Sequence, residues 1–472
     1  MKQSNSVKST RHKVLNSNMT GQFIKTNRIK RTYFLIAGFL LTAVYGYSQD
    51  TTQSLTLDQC IIYALQHQPT LKQSLINQAI AKTTNDINLA GWLPQVGLTG
   101  NVIHYLELPT GFINNTSTPG SPPTEEKTGV VNTVIPELSV SQTIFNPELL
   151  YAAKSAPLYI KQAQQITDST KINIVASVSQ AFYNLLLTLE QINVLRADTV
   201  SLTKNYNDAY HQYIGGIVDQ TDYKEAAITL NNSKAELKQA VENVSPLYST
   251  LKQAMGFPPK SNFNVSFDTA QMMNDIAFDT TQEIQFEKRI EYQQLQTSKS
   301  LQKQLINYYR LAYLPTASIF YNYFYEFESN TASNLFAAAY PYSYLGLSLT
   351  MPIFTGFARV KNVQKAKLQE QLLDLDEDSL KAEIYTEYTT ALANYKSNLY
   401  NFYEQKDNET MASDVYNVVT LQYKQGTVAY LNVITAESNL ITSQIGYLNA
   451  LFQVLSSKID LEKSMGIISY NR

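Results

Sequence analysis

The sequence predicts a mainly α-helical chain that also carries four transmembrane β-strands. Two copies of one unit are expected, each a strand pair followed by a long antiparallel helical hairpin. Three observations carry this reading. Short motifs recur at a spacing near 210 residues. Two pairs of segments of about ten residues alternate apolar and polar side chains, the pattern of barrel strands. After each pair, apolar residues step by four and three over many turns, a heptad seam.

Composition limits the alternatives. The 472 residues include 37 Lys+Arg, 39 Asp+Glu, four His and one Cys. One Cys excludes a disulfide framework and a Cys-built zinc or iron–sulfur centre. Charged residues make up 16%, against about 25% in ordinary soluble domains. The 33 Tyr suit a surface apolar at one end and wet at the other.

Eight basic residues and no acid precede Asp50, followed by the apolar run Tyr33 to Val44 and small residues at Gly46 and Ser48. This is a secretory signal pattern, assigned to residues 1–48, with Met1 or Met19 as the start. The run is too short for a comfortable membrane helix. Without it, 37 less eight leaves 29 basic residues against 39 acids, a net charge of −10, which argues against a nucleic-acid partner. No later stretch reads as a transmembrane helix, so membrane residence requires a barrel. Cys60, inside a helical pattern, reads as a small core residue.

The repeat orders the rest. Leu93-Pro94 recurs as Leu314-Pro315, Ile144-Phe145 as Ile353-Phe354, Gly216 as Gly426 and Gly256 as Gly466. The first copy carries twelve more residues between its Pro and Phe landmarks, placed as a surface loop between Pro109 and Gly129. The first repeat spans residues 49–256, with a β-hairpin at about 95–145 and a helical hairpin at about 147–256. A linker covers 257–280. The second repeat spans 281–466, with hairpins at about 316–354 and 356–466, before a tail at 467–472. An opening helix is expected at Leu57–Trp92 in one half and Thr281–Leu311 in the other. Val96, Leu98 and Val102 share one strand face, as do Leu345, Leu347, Leu349 and Met351. Asn146 is an N-cap residue with Pro147 behind it; Thr355-Gly356 takes that place in the second copy. Pro157 predicts a local kink. The first seam runs from Ile174 to Tyr213 and the second, wetter in its middle, from Ile384 to Tyr423. Gly at each helix end is a C-cap signal.

This order resembles the TolC family of outer-membrane channel proteins. The opening Leu55-Thr56-Leu57-Asp58-Gln59-Cys60-Ile61-Ile62-Tyr63-Ala64-Leu65 with Pro69 just after it, the Leu-Pro before each hairpin, the Ile-Phe after it and Tyr-x-x-Gly at each helical turn all match. The resemblance implies a homotrimer whose chains each give four strands to a twelve-stranded outer-membrane barrel, continued by a coiled-coil tunnel through the periplasm. Such channels are exit ducts of drug-efflux pumps or type I secretion systems. They reach an inner-membrane transporter through a periplasmic adaptor protein and catalyse nothing themselves. No cofactor or metal is expected.

The resemblance also implies site residues. The turns carrying Gly215, Gly216, Ile217 and Val218, and Gly426, Thr427 and Val428, meet the adaptor. Thr221, Asp222 and Tyr423 hold the periplasmic entrance shut, with an Asp–Tyr hydrogen bond the plausible link. Val428 stands where members of the family can carry an Arg, and Asn432 where an acidic ring can narrow the pore, so a weaker electrostatic gate is expected. His67, His104 and His211 are too scattered for metal ligation. Asp374, Asp376, Glu377 and Asp378 read as a solvated helix face. A surface coiled-coil stalk needs neither the Gly-turned hairpins nor the strands, and a periplasmic enzyme would need a phosphate loop, nucleophile elbow or metal spacing that is not found.

Overall fold

The computed structural model describes residues 54–113, 122–266, 272–273 and 275–470. The expected signal segment and the tip of the insertion at 114–121 lie outside the described residues. By contact density the chain divides into a small unit, Met1–Ser54 with Asn262–Asn264, and a principal unit, Leu55–Ser261 with Val265–Arg472. In the small unit Ser54 and Asn264 are extended. The helices and the sheet belong to the principal unit.

The first repeat opens with α1 (Leu57–His67), which starts on a capping box between Thr56 and Gln59. A single helix to Trp92 was the expectation, but the chain breaks at Gln68, whose ψ is 122°, and resumes as α2 (Pro69–Leu89). Pro69 is the cause, since proline disfavours helical geometry in the residue before it. In the second repeat the matching α5 (Ile290–Leu311) starts nine residues later than Thr281, from an extended Arg289.

The strands are β1 (Gln95–His104), β2 (Thr110–Ile113), β3 (Thr124–Lys127), β4 (Asn132–Phe145), β5 (Thr316–Ser329) and β6 (Ala339–Thr350). Four make one antiparallel sheet in the order β1-β4-β5-β6. The register aligns Leu98 with Leu138 and Tyr323, and Val96 with Val140, Tyr321 and Leu345. One face is therefore a continuous apolar band. Leu98, Val102 and Leu345 are 77%, 78% and 73% exposed on it, so nothing among the described residues covers the band. The insertion corrects one expectation: β2 and β3 pair from Thr110↔Lys127 to Ile113↔Thr124, making a ribbon where a loop was expected.

Each strand pair leads into a hairpin: α3 (Pro147–Ile214) with α4 (Gln220–Met255), and α6 (Ala358–Lys424) with α7 (Tyr430–Ser464). Asn146 caps α3 by accepting the Glu148 N–H at 2.8 Å. The second copy differs: Gly356 and Phe357 both adopt left-handed backbone, at φ 58° and 65°, and α6 starts without a side-chain cap. The 68 residues of α3 give a rod about 100 Å long. It continues through Pro157, and α4 likewise contains Pro246.

Every residue of both seams is buried or half-buried, and the second is wetter beyond Phe402. One stretch of α3 is, against expectation, apolar enough by composition to cross a membrane. Some 56% of it is buried inside the protein, because α3 packs against α1 and α7, and Val178, Leu185 and Leu186, like Cys60 and Ile61 of α1 and Val454 and Leu455 of α7, are buried. Burial pushes the Cys60 thiol up to about 12, which keeps it inert at neutral pH.

The acids of α6 are not uniformly solvated. Lys299 of α5 reaches Asp374 at 2.7 Å and Glu377 at 2.6 Å, and Lys381 meets Glu377 at 2.7 Å. Hydrogen bonds from Lys299 and Lys381 hold the Glu377 carboxyl down at about 2. The buried Arg289 joins the same region, reaching Glu387 at 2.7 Å and the Ser464 carbonyl at 2.7 Å. Facing helices placed an ammonium group where helical periodicity alone showed only water.

The terminal glycines give a test. Gly426 and Gly466 are both left-handed, at φ 73° and 70°. A Cβ at 426 meets nothing within 4 Å, whereas one at 466 lies 2.7 Å from the Lys288 carbonyl oxygen. Gly426→Ala should cost the left-handed penalty of about 1–2 kcal/mol. Gly466→Ala should cost more, read as a larger drop in thermal midpoint by far-ultraviolet circular dichroism.

Candidate functional site

Both hairpins turn in the same way. Gly216 N–H donates to the Tyr213 carbonyl and Ile217 N–H to that of Gln212, each at 2.9 Å. Gly426 N–H donates to Tyr423 at 2.9 Å and Thr427 N–H to Gln422 at 3.0 Å. With Gly216 and Gly426 left-handed, this is the Schellman pattern, which satisfies the last helical carbonyls and reverses the chain. Gly215 stays right-handed as the cap residue of α3. Ile217 is 75% exposed; Gly216, Gly426 and Thr427 are exposed, and Val218 and Val428 half-buried. Both turns therefore offer backbone and small apolar side chains to the outside.

The hairpins meet behind these turns. Ala209, Ala226, Tyr430, Val433 and Ile434 form a buried cluster, with Tyr206, Tyr223, Tyr416, Val419 and Tyr423 packed against it. The Tyr213 and Tyr223 rings lie 4.9 Å apart and those of Tyr423 and Tyr430 5.3 Å apart. Small residues in the cluster let the helices approach, and the tyrosines keep hydroxyls at its rim.

One polar link crosses between the hairpins at this level. Tyr423 Oη donates to Gln212 Oε1 at 2.8 Å. The expected Asp222–Tyr423 bond is not made within the chain, because Gln212, one position before a seam residue, points across to α6. Asp222 is half-buried, while Thr221 and Asn432 are exposed. The structure thus gathers the two turns and Tyr423 at one end of the helices, with Thr221, Asp222 and Asn432 in the first turns of α4 and α7 beside them.

A second link, not anticipated from sequence, lies deeper. Glu437 of α7 is 3% exposed. Ser201 Oγ donates to its Oε1 at 2.6 Å, and Asn205 Nδ2 to its Oε2 at 2.7 Å. Tyr416 Oη lies 3.3 Å from Ser201 Oγ. Asp198 is nearby on α3, and its Oδ2 is buried with no hydrogen-bond partner among the described residues. Burial first, then the charges of Glu437 and Glu236, push Asp198 up to about 7. Burial also raises Glu437, opposed by its hydrogen bonds. The signal was present in the sequence: Tyr430, Val433 and Ile434 set an apolar helical stripe, and an acid three residues on shares that face.

The chain matches the outer membrane efflux protein family over residues 61–257 and 293–467. It is 20% identical over 308 residues to the toluene efflux pump outer membrane protein TtgC of Pseudomonas putida, covering 64% of this chain. That match spans 62% of TtgC. Among solved structures, the outer membrane protein VceC of Vibrio cholerae superposes with a TM-score of 0.67 at 15% identity, covering 87% of this chain and 96% of VceC. The CmeC outer membrane channel of Campylobacter jejuni gives 0.67 at 17%, covering 88% and 87%.

The Asp198 site generates a pH prediction. A carboxyl whose folded value stands above its ordinary 3.8 favours the folded state while both states are protonated, and that contribution is lost as pH rises toward the folded value. Asp198, with Glu437 in the same direction, should lower the thermal midpoint as pH rises from about 4 to about 7. Asp198→Asn should flatten that decline, raising the midpoint above pH 7 and leaving it unchanged near pH 4.

Proposed function

The chain belongs to the outer membrane efflux protein family, and on that premise we propose that it is the passive outer-membrane exit channel of a tripartite efflux pump, carrying small molecules to the exterior. The single observation that carries this most is the sheet. Four antiparallel strands present an uncovered apolar band on one face, and β1 and β6 are edge strands. In hydrocarbon those edge N–H and C=O groups require partners, and bacterial barrels start at eight strands. A homotrimer closes twelve strands and places the bands against lipid.

The long helices then continue the wall through the periplasm. In this proposal the exposed turns at Gly215–Val218 and Gly426–Val428 dock on a periplasmic adaptor, which links the channel to an inner-membrane transporter. The transporter supplies the energy, and no catalytic step is assigned to the chain. Left-handed Gly216 and Gly426 suit docking, since a residue without Cβ lets another backbone approach closely.

Thr221, Asp222, Tyr423 and Asn432 form the gate in this reading. Tyr423 holds Gln212 inside the protomer, leaving Asp222 for a neighbouring one. With Val428 and Asn432 uncharged, side-chain hydrogen bonds close the entrance in place of an ionic ring.

Two measurements test these statements. Extracted from outer membranes in mild detergent, the protein should have the native mass of three chains and form ion-conducting channels in planar bilayers; a detergent-independent monomer overturns the proposal. In those channels Tyr423→Phe and Asp222→Ala should raise conductance, while hexamminecobalt should leave the wild-type current unchanged from the periplasmic side. Strong block by that trivalent ion, with no effect of either substitution, would overturn the gate.

A further inference from the structure

The face of the sheet opposite the apolar band is not simply polar. Cross-strand partners share a face, so the register defines its rows. Glu137 of β4 pairs with Phe324 of β5, and Phe324 with Tyr342 of β6. The next row pairs Asn322 with Tyr344, and the one after pairs Phe320 with Gly346. In the other direction Glu326 pairs with Tyr340.

These rings form one shelf. Phe324 stacks on Tyr342 at 4.7 Å with planes 11° apart, and lies 5.7 Å from Tyr344 at 23°. Tyr344 meets Phe320 edge-on at 6.1 Å and accepts a hydrogen bond from Asn322 at 3.1 Å. Gly346 is required for this layout, since a Cβ there would collide with the Phe320 ring. Tyr342 and Tyr344 remain 45% and 47% exposed. Glu137 and Glu326 flank the rings, and the four strands contain no Lys or Arg.

We infer that this shelf is a contact site for ring-bearing organic cations moving through the barrel. The inference rests on the channel reading, which turns this face to the lumen. Flat aromatic faces attract cations and stack on planar rings. Two carboxylates with no competing basic side chain favour positive charge and disfavour anions. Packing of β5 against β6 alone requires neither acid nor exposed rings. Three copies around a trimer would line one belt.

The test uses the full-length trimer in planar bilayers, with probes added on the barrel side. Benzyl viologen is a ring-bearing cation, tetraethylammonium a cation without rings, and naphthalene disulfonate a ring-bearing anion. Benzyl viologen should block the potassium chloride current at concentrations about tenfold below either control, from about 1.4 kcal/mol of combined cation–π and stacking contact. Glu137→Gln with Glu326→Gln should weaken that block severalfold, as should Tyr342→Ser, a change at an exposed ring. A conducting trimer that all three probes block alike, or whose block ignores both variants, overturns the shelf and leaves the channel standing. A protein without trimer or conductance overturns the channel and the shelf with it.

Discussion

The rest of the molecule depends on one constraint: backbone N–H and C=O groups in hydrocarbon must be paired. The four-stranded sheet satisfies its interior through the β1-β4-β5-β6 ladders, and leaves one edge open on β1 and one on β6. An isolated chain therefore cannot occupy a bilayer, however apolar its outer face. The proposed closure by identical copies would remove the edges and account for a band of uncovered Val, Leu and Tyr on one chain.

The strands also place the helices. Each strand pair hands over to its hairpin at Phe145–Asn146 or Phe354–Phe357, so strand positions fix where α3 and α6 begin. Heptad seams then pack α3, a rod about 100 Å long, against the shorter antiparallel α4 and against α7. Because the seams bury mostly small and apolar residues, the polar exceptions carry specificity: Tyr423 to Gln212 across the hairpins, and Glu437 held by Ser201 and Asn205. A buried carboxylate with designated donors fixes register at some cost in stability. Its place near the turns puts that cost beside the residues proposed as the gate.

The two repeats have diverged where their surroundings differ. Asn146-Pro147 gives α3 a capped start, while α6 begins from a Gly-Phe bend. The first repeat has an extra β2–β3 ribbon beyond the sheet. Lys299, Asp374 and Glu377 join α5 to α6 by charge. Near-identical Schellman turns at Gly216, Gly256, Gly426 and Gly466 show what the duplication could not vary: a long helix must satisfy its last carbonyls whatever it packs against.

Much of this was legible in the sequence because it rests on local periodicity. Alternation set the strand faces, heptads set the seams, Asn146-Pro147 set a helix start, and four glycines set the helix ends, since each depends on residues within a turn or two. What sequence reading missed depended on a distant partner or a single local breaker. Pro69 split the opening helix, the inserted segment paired with itself, and Asp374 and Glu377 found Lys299. Tyr423 met Gln212, 211 residues away, because two helices from different repeats lie side by side. The sequence by itself determined which residues form strands, rods and turns, through propensity and pattern along one segment. Only the tertiary structure decided which polar groups meet, because helical periodicity names the face a side chain occupies and not the neighbour that faces it.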